Sequence, residues 1–101
     1  MRGMYLKVHE NNGGKIVAVC DEDLIGKTFQ EGDAILDLDK YKTFYHGKKV
    51  EDEEIKNAFK SFSSANIVGK KSISLAISAG LISKDDVLHV KGVPYVQIYN
   101  I

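Results

Sequence analysis

Apolar and polar residues alternate with period two along Met4-Tyr5-Leu6-Lys7-Val8-His9-Glu10, the signature of a strand with unlike faces. Asn11-Asn12-Gly13-Gly14 follows, and Asn-Gly between two such runs is a strong hairpin signal. The second strand is Lys15 to Asp21. A two-residue Asn12-Gly13 turn pairs Glu10 with Lys15, His9 with Ile16, Lys7 with Ala18 and Tyr5 with Cys20. One face then carries Met4, Leu6, Val8, Val17 and Val19, a core face. The other carries Tyr5, Lys7, His9, Ile16, Ala18 and Cys20, and a one-residue slip would exchange the two.

The pattern then changes. Asp21-Glu22-Asp23-Leu24-Ile25 reads as one helical turn capped by Asp21 and stopped by Gly26. Thr28 to Gln30 and Asp33 to Leu38 read as short strands around a Glu31-Gly32 turn. Lys40 to His46 is rich in β-formers and predicts an extended segment, with His46-Gly47-Lys48-Lys49 as a turn. Glu51 opens a helix, since the acids at 51–54 suit its positive end. Ile55, Ala58, Phe59 and Phe62 give that helix an apolar stripe. Ser63-Ser64 predicts a cap for a short turn from Ala65 to Val68, ended by Gly69. A further helix covers Lys70 to Ala79, apolar on more than one face, with Gly80 as its stop. Val87 to Val90 and Tyr95 to Ile101 read as strands joined by Lys91-Gly92-Val93-Pro94. The order of strands, then helices, then a terminal hairpin argues an α+β fold. The expectation is one domain over residues 1–101, with a largely antiparallel sheet, N-terminal and C-terminal hairpins, and two to three central helices packed on one face.

Composition narrows the function. At 101 residues with 44% hydrophobic and 28% charged positions, the chain can form a core without disulfides or metal. Its 14 basic and 14 acidic residues cancel, and they cancel within each half, so no global field draws nucleic acid or an anionic membrane. Anion binding would have to come from a local patch. The single cysteine excludes an internal disulfide and fits a reducing cytoplasm. Neither a signal peptide nor a membrane span is expected from the apolar runs.

Three segments resemble a known family: Val17-Ala18-Val19-Cys20-Asp21-Glu22-Asp23-Leu24-Ile25-Gly26-Lys27-Thr28-Phe29, Ala65-Asn66-Ile67-Val68-Gly69 through Ala79-Gly80-Leu81-Ile82, and Gly92-Val93-Pro94-Tyr95-Val96-Gln97-Ile98. Together and in this order they are similar to the small, mainly archaeal domain-of-unknown-function family DUF424. The resemblance spans nearly the whole chain. It implies an archaeal cytoplasmic protein of about this size, and it assigns neither a reaction nor a role to any residue. The 40–49 region matches least well.

Four constellations bear on chemistry. Cys20, with Lys7 diagonal to it and Asp21 beside it, is the alternative reactive site of a small enzyme. Diagonal neighbours sit about 7–8 Å apart, and the adjacent acids would raise the thiol pKa, the wrong direction for a nucleophile. Asp21-Glu22-Asp23 reads better as a cap and solvated first turn than as a cation site, and His9, His46 and His89 have no metal spacing, so no metal or cofactor is expected. Val68-Gly69-Lys70-Lys71-Ser72 lacks the glycine that a phosphate loop needs five positions before its Gly-Lys pair, where Ser64 stands, and no strand is expected before it. A simpler anion site remains, with free N–H groups at Gly69, Lys70 and Lys71 and two ammonium groups.

The fourth is Lys40-Tyr41-Lys42-Thr43-Phe44-Tyr45-His46-Gly47-Lys48-Lys49, with four lysines, a histidine and three aromatics and no acid. Lysines neutralise phosphates, and aromatics stack on unpaired bases. The same stretch also reads as an edge strand protected by lysines. The chain is thus expected to be a non-catalytic cytoplasmic binding or accessory module. Its expected partner is RNA or a ribonucleoprotein, held by Lys40, Tyr41, Lys42, Tyr45, His46, Lys48, Lys49, Gly69, Lys70 and Lys71. The competing expectations are the Cys20 enzyme and a structural subunit of a protein complex, which would expose Tyr95, Tyr99 or Ile101.

Overall fold

A computed structural model describes residues 3–100. The two predicted N-terminal strands are β1 (Met4–Asn11) and β2 (Gly14–Asp21). They pair in the expected register, with Tyr5 opposite Cys20, Lys7 opposite Ala18 and His9 opposite Ile16. A short 3-10 turn follows at Glu22–Leu24. Next comes a separate hairpin of β3 (Thr28–Glu31) and β4 (Ala34–Asp37). The remaining elements are α1 (Lys42–Tyr45), β5 (Lys48–Val50), α2 (Asp52–Ala58), β6 (Ser64–Val68), α3 (Lys70–Ser78), a 3-10 turn at Lys84–Asp86, β7 (Leu88–Val90) and β8 (Val93–Tyr99).

The main sheet has six strands in the order β5-β1-β2-β6-β8-β7. Every neighbouring pair is antiparallel except β2 and β6, which run parallel. The fold is therefore α+β with a mostly antiparallel sheet. Among the described residues, no helix is long and apolar enough to cross a membrane.

Two predicted segments change character. Ala65 to Val68, expected as a helical turn, is the central strand β6. A strand flanked on both sides by other strands is largely buried, and a four-residue segment with three apolar positions cannot be told from a helix turn by period alone. Lys40 to His46, expected extended, instead turns into α1, and the turn expected over His46 to Lys49 gives way to edge strand β5. The carboxylate of Asp37 accepts the backbone N–H groups of Asp39 (3.2 Å) and Lys40 (2.8 Å), which bends the chain out of β4. Packing then overrides the β-propensity of Tyr41, Thr43 and Tyr45. Smaller differences are at α3, where Ile77 and Ala79 are exposed, and at the last hairpin, where the turn is Lys91-Gly92 alone.

The sheet is covered on both faces. On one, Met4, Val17, Val19, Ala65, Ile67 and Val96 meet Ile55 and Phe59 of the α2 region and Ile73, Leu75 and Ala76 of α3. The stripe read from the sequence is the face that α2 buries. On the other, Ala18, Cys20 and Val68 pack under Leu38 and Tyr45, with Phe29, Leu36, Phe44 and Tyr95 around them. Here α1 and the β3–β4 hairpin form a third, partial layer.

The start of α3 is held from outside the helix. Its cap position is Gly69, which has no side chain to offer. Asp21, at the end of β2, supplies the cap instead. One carboxylate oxygen accepts from the Lys71 N–H (3.0 Å), and the other from the Ser72 N–H (2.9 Å) and the Ser72 hydroxyl (2.7 Å). Asp21 is 5% exposed and Ser72 fully buried, and the carboxylate sits where the helix dipole favours it. Gly69 has φ 109°, and a Cβ there would run into the Asp21 carboxylate.

Replacing Asp21 with Ala should therefore cost about 2–3 kcal/mol, because buried helix donors lose a charged acceptor. Gly69→Ala should cost about 2 kcal/mol or more from strain and collision. Urea unfolding checks both, with the midpoint falling and the slope unchanged.

Candidate functional site

The Cys20 thiol is fully buried and donates to the Asp21 carbonyl at 3.4 Å. Burial, then the charges of Asp21 and Asp23, push its pKa from 9.0 up to about 12. Lys7, its diagonal neighbour, is turned elsewhere, with its ammonium donating to the Thr43 carbonyl at 2.6 Å. The alternative reactive site of Lys7, Cys20 and Asp21 is thus taken apart. Cys20 is core, Lys7 binds α1 and Asp21 caps α3.

Two of the three N–H groups expected to be free at Gly69-Lys70-Lys71 are engaged. Asp21 takes those of Lys71 and Ser72, and the Gly69 N–H donates to the Pro94 carbonyl at 2.8 Å. The anion at this helix start is the chain's own. A strand does precede Gly69, contrary to expectation, but the missing phosphate-loop glycine stays missing. Lys70 and Lys71 remain exposed.

The 40–49 stretch divides. Tyr45 is core, and burial pushes its phenol pKa upward. His46 is exposed, with its ring edge-on to Tyr5 at 4.8 Å. Lys48 and Lys49 lie on edge strand β5, where Lys49 pairs with Glu22 at 2.8 Å. Its ammonium holds the Glu22 carboxyl below the usual range. Lys40, Tyr41 and Lys42 stay exposed at the start of α1. Tyr41 is 53% exposed, and the Lys40 ammonium lies 5.5 Å from its ring centroid.

Helix α1 has only four residues and cannot hold itself. Two side chains of β1 anchor it. Lys7 donates to Thr43 as described, and His9 Nε2–H donates to the Phe44 carbonyl at 2.9 Å. The His9 ring also stacks on Phe44, with centroids 4.6 Å apart and planes 11° apart. These contacts fix Tyr41 over the sheet.

Below Tyr41 a groove runs along the part of the sheet that α1 and the hairpin leave open. It consists of two adjoining hollows of about 370 Å³ each that share Tyr41, Tyr45 and Gln97. Its floor holds Asn66 of β6 and Gln97 of β8, which are register partners and so project side by side. Among the described residues neither carboxamide has a hydrogen-bond partner. Two amides beneath an exposed tyrosine, with lysines at the rim, can take a flat ring with hydrogen-bonding edges. Sequence reasoning missed Asn66 and Gln97, because only the β6–β8 register brings them together.

Further exposed apolar side chains mark the C-terminal hairpin, with Leu88 58% and Tyr99 70% exposed while Tyr95 is half-buried. Ile101 lies outside the described residues.

The fold defines a small α+β domain with a mostly antiparallel sheet. Its family model, described as protein of unknown function (DUF424), matches residues 8–101. The chain belongs to the DUF424 family. It is similar to an uncharacterized conserved protein from the archaeon Methanopyrus kandleri, known from a crystal structure, with 29% identity and a TM-score of 0.78 over 98% of this chain and 91% of that one. No curated protein matches the sequence.

The buried thiol sets a pH dependence. The folded state keeps the Cys20 proton up to about pH 12, whereas an ordinary thiol loses it near 9.0. Between those values the unfolded state binds fewer protons, so stability falls as pH rises. The expected slope is roughly 1.4 kcal/mol per pH unit from this group, with none below pH 9. Urea midpoints from pH 7 to 11 check this. Native Cys20 should also resist a thiol reagent at pH 8 and label only on unfolding.

Proposed function

We propose that this protein is a non-catalytic binding module for single-stranded RNA, alone or within a ribonucleoprotein. The observation that carries this reading is the unengaged pair Asn66–Gln97 beneath exposed Tyr41. Sequence-specific binding of single-stranded RNA uses aromatic rings to stack splayed bases and polar groups to read their edges. Tyr41 is the stacking group, Asn66 and Gln97 meet the base edge, and Lys40 and Lys42 neutralise phosphates on either side. With zero net charge there is little long-range attraction, so binding is modest and sensitive to salt.

The buried thiol argues against the competing enzyme. The exposed Leu88 and Tyr99 leave room for a protein neighbour on the same domain, as an RNA-bound assembly would require.

The test is a gel-shift titration with short single-stranded and hairpin RNAs at low salt. Wild type should bind the single strands better. Tyr41→Ala should weaken binding about tenfold, the stacking of one base being worth about 1–3 kcal/mol. Gln97→Ala should reduce discrimination among sequences, and Lys42→Glu should weaken all sequences alike. Absence of wild-type binding at low salt would refute the reading.

A further inference from the structure

A second cleft opens beyond Val68 and Asp21, outside the carboxyl ends of the two parallel strands. This is the place where open sheets with parallel strands present ligand sites. Its volume is about 440 Å³, within the ~300–1,000 Å³ span of small-molecule pockets. Four lysines line it, although the end of the Lys71 side chain lies against Gly3 and its charge acts on Glu22. Lys27 comes from the segment before β3, Lys70 and Lys71 from the start of α3, and Lys91 from the β7–β8 turn. They face two aspartates, Asp21 and Asp23. With Lys71 directed to Glu22, Lys27, Lys70 and Lys91 still outnumber the two aspartates of the lining, on a chain whose total charge is zero. Among the described residues none of Lys27, Lys70 and Lys91 forms an ion pair. The floor is apolar and includes the Phe29 ring and Pro94.

Lys91 adds an independent observation. It is the one non-glycine residue with positive φ among those described, at 52°, and Gly92 beside it has φ 76°. Both central positions of this two-residue hairpin turn are left-handed, where Asn, Asp or Gly is the inexpensive choice. A lysine there is strained, and the strain is held by Glu31, whose carboxylate accepts the Lys91 N–H at 2.9 Å. Backbone strain of this kind concentrates at functional sites. Here it places an ammonium group at the rim of the lysine cleft.

We infer that this cleft is a binding site for a small phosphomonoester carrying a flat ring, a mononucleotide in size and chemistry. Its phosphate sits among Lys27, Lys70 and Lys91, its ring lies against Phe29 and Pro94, and Asp23 accepts from a hydroxyl between them. The lysine side chains hold the phosphate, because Asp21 already occupies the Lys71 and Ser72 N–H groups. The site is independent of the Tyr41 groove and of the RNA reading.

The test is a titration of the full chain at low salt, followed by calorimetry and by backbone NMR shifts, with AMP, adenosine and inorganic phosphate as probes. AMP should bind, shifting the amides of Lys27, Phe29 and Gly92, and should bind at least about tenfold more tightly than either fragment. Lys91→Asn suits the left-handed turn, so its melting temperature should equal or exceed wild type while AMP affinity falls about tenfold, near 1.4 kcal/mol. Lys27→Ala should show the same loss of affinity, and Tyr41→Ala should leave AMP binding unchanged. No AMP binding, shifts only around Tyr41, equal affinity for phosphate and AMP, or unchanged affinity in both lysine variants would overturn the assignment.

Discussion

Helix α3 begins at a glycine and has no cap of its own, so its first turn depends on a carboxylate delivered by another part of the chain. Asp21 reaches Ser72 across 51 residues of sequence, and nearly everything on this side of the molecule follows from that contact. It ties the end of β2 to the start of the helix that covers both parallel strands. It requires Gly69, since any side chain would occupy the same space. A buried carboxylate needs donors to offset its lost hydration, and three hydrogen bonds at the positive end of a helix supply them. The same contact takes up the Lys71 and Ser72 N–H groups at the helix start, and among the described residues Lys27, Lys70 and Lys91 form no ion pair.

The two candidate sites sit on different structural ground. The Tyr41 groove exists because the outer layer is incomplete. Helix α1 and the β3–β4 hairpin cover the Cys20–Val68 row of the sheet but leave the Asn66–Gln97 row open. The histidine and lysine of β1, which look like candidates for chemistry, serve to seat α1 at the edge of that opening. The lysine cleft instead lies where strands end and loops converge. Zero net charge conceals this arrangement, because charges that cancel along the sequence are separated in space.

Legibility in the sequence followed the distance over which each feature is encoded. The first hairpin needed only alternation and Asn-Gly, so its register could be read residue by residue. The apolar stripe of α2 and the stop at Gly80 were equally local. The errors at 65–68 and 41–45 arose where packing decides. Strand β6 is defined by neighbours on both sides, and α1 by Lys7 and His9 more than 30 residues earlier. Asp21 was correctly read as a helix cap but assigned to the wrong helix, since a cap that acts across the fold leaves no trace in local spacing. For the same reason Lys27 and Lys91 passed unnoticed while Lys70 and Lys71, adjacent in sequence, stood out.

The single parallel pairing also shapes how the molecule assembles. The β1–β2, β3–β4 and β7–β8 hairpins close short loops and can form within microseconds. Joining β6 to β2 must enclose the whole segment between Asp21 and Ser64, and that ordering is lost entropy before it is rewarded. The slow step in folding is therefore the meeting of preformed hairpins at the centre of the sheet. Until it occurs, the edges of β2 and β8 that will receive β6 stand open, and a second chain in the same state can supply the missing strand. The molecule is most exposed to domain exchange during this interval, and it is the central seam, rather than the short outer strands, that decides whether one chain closes on itself.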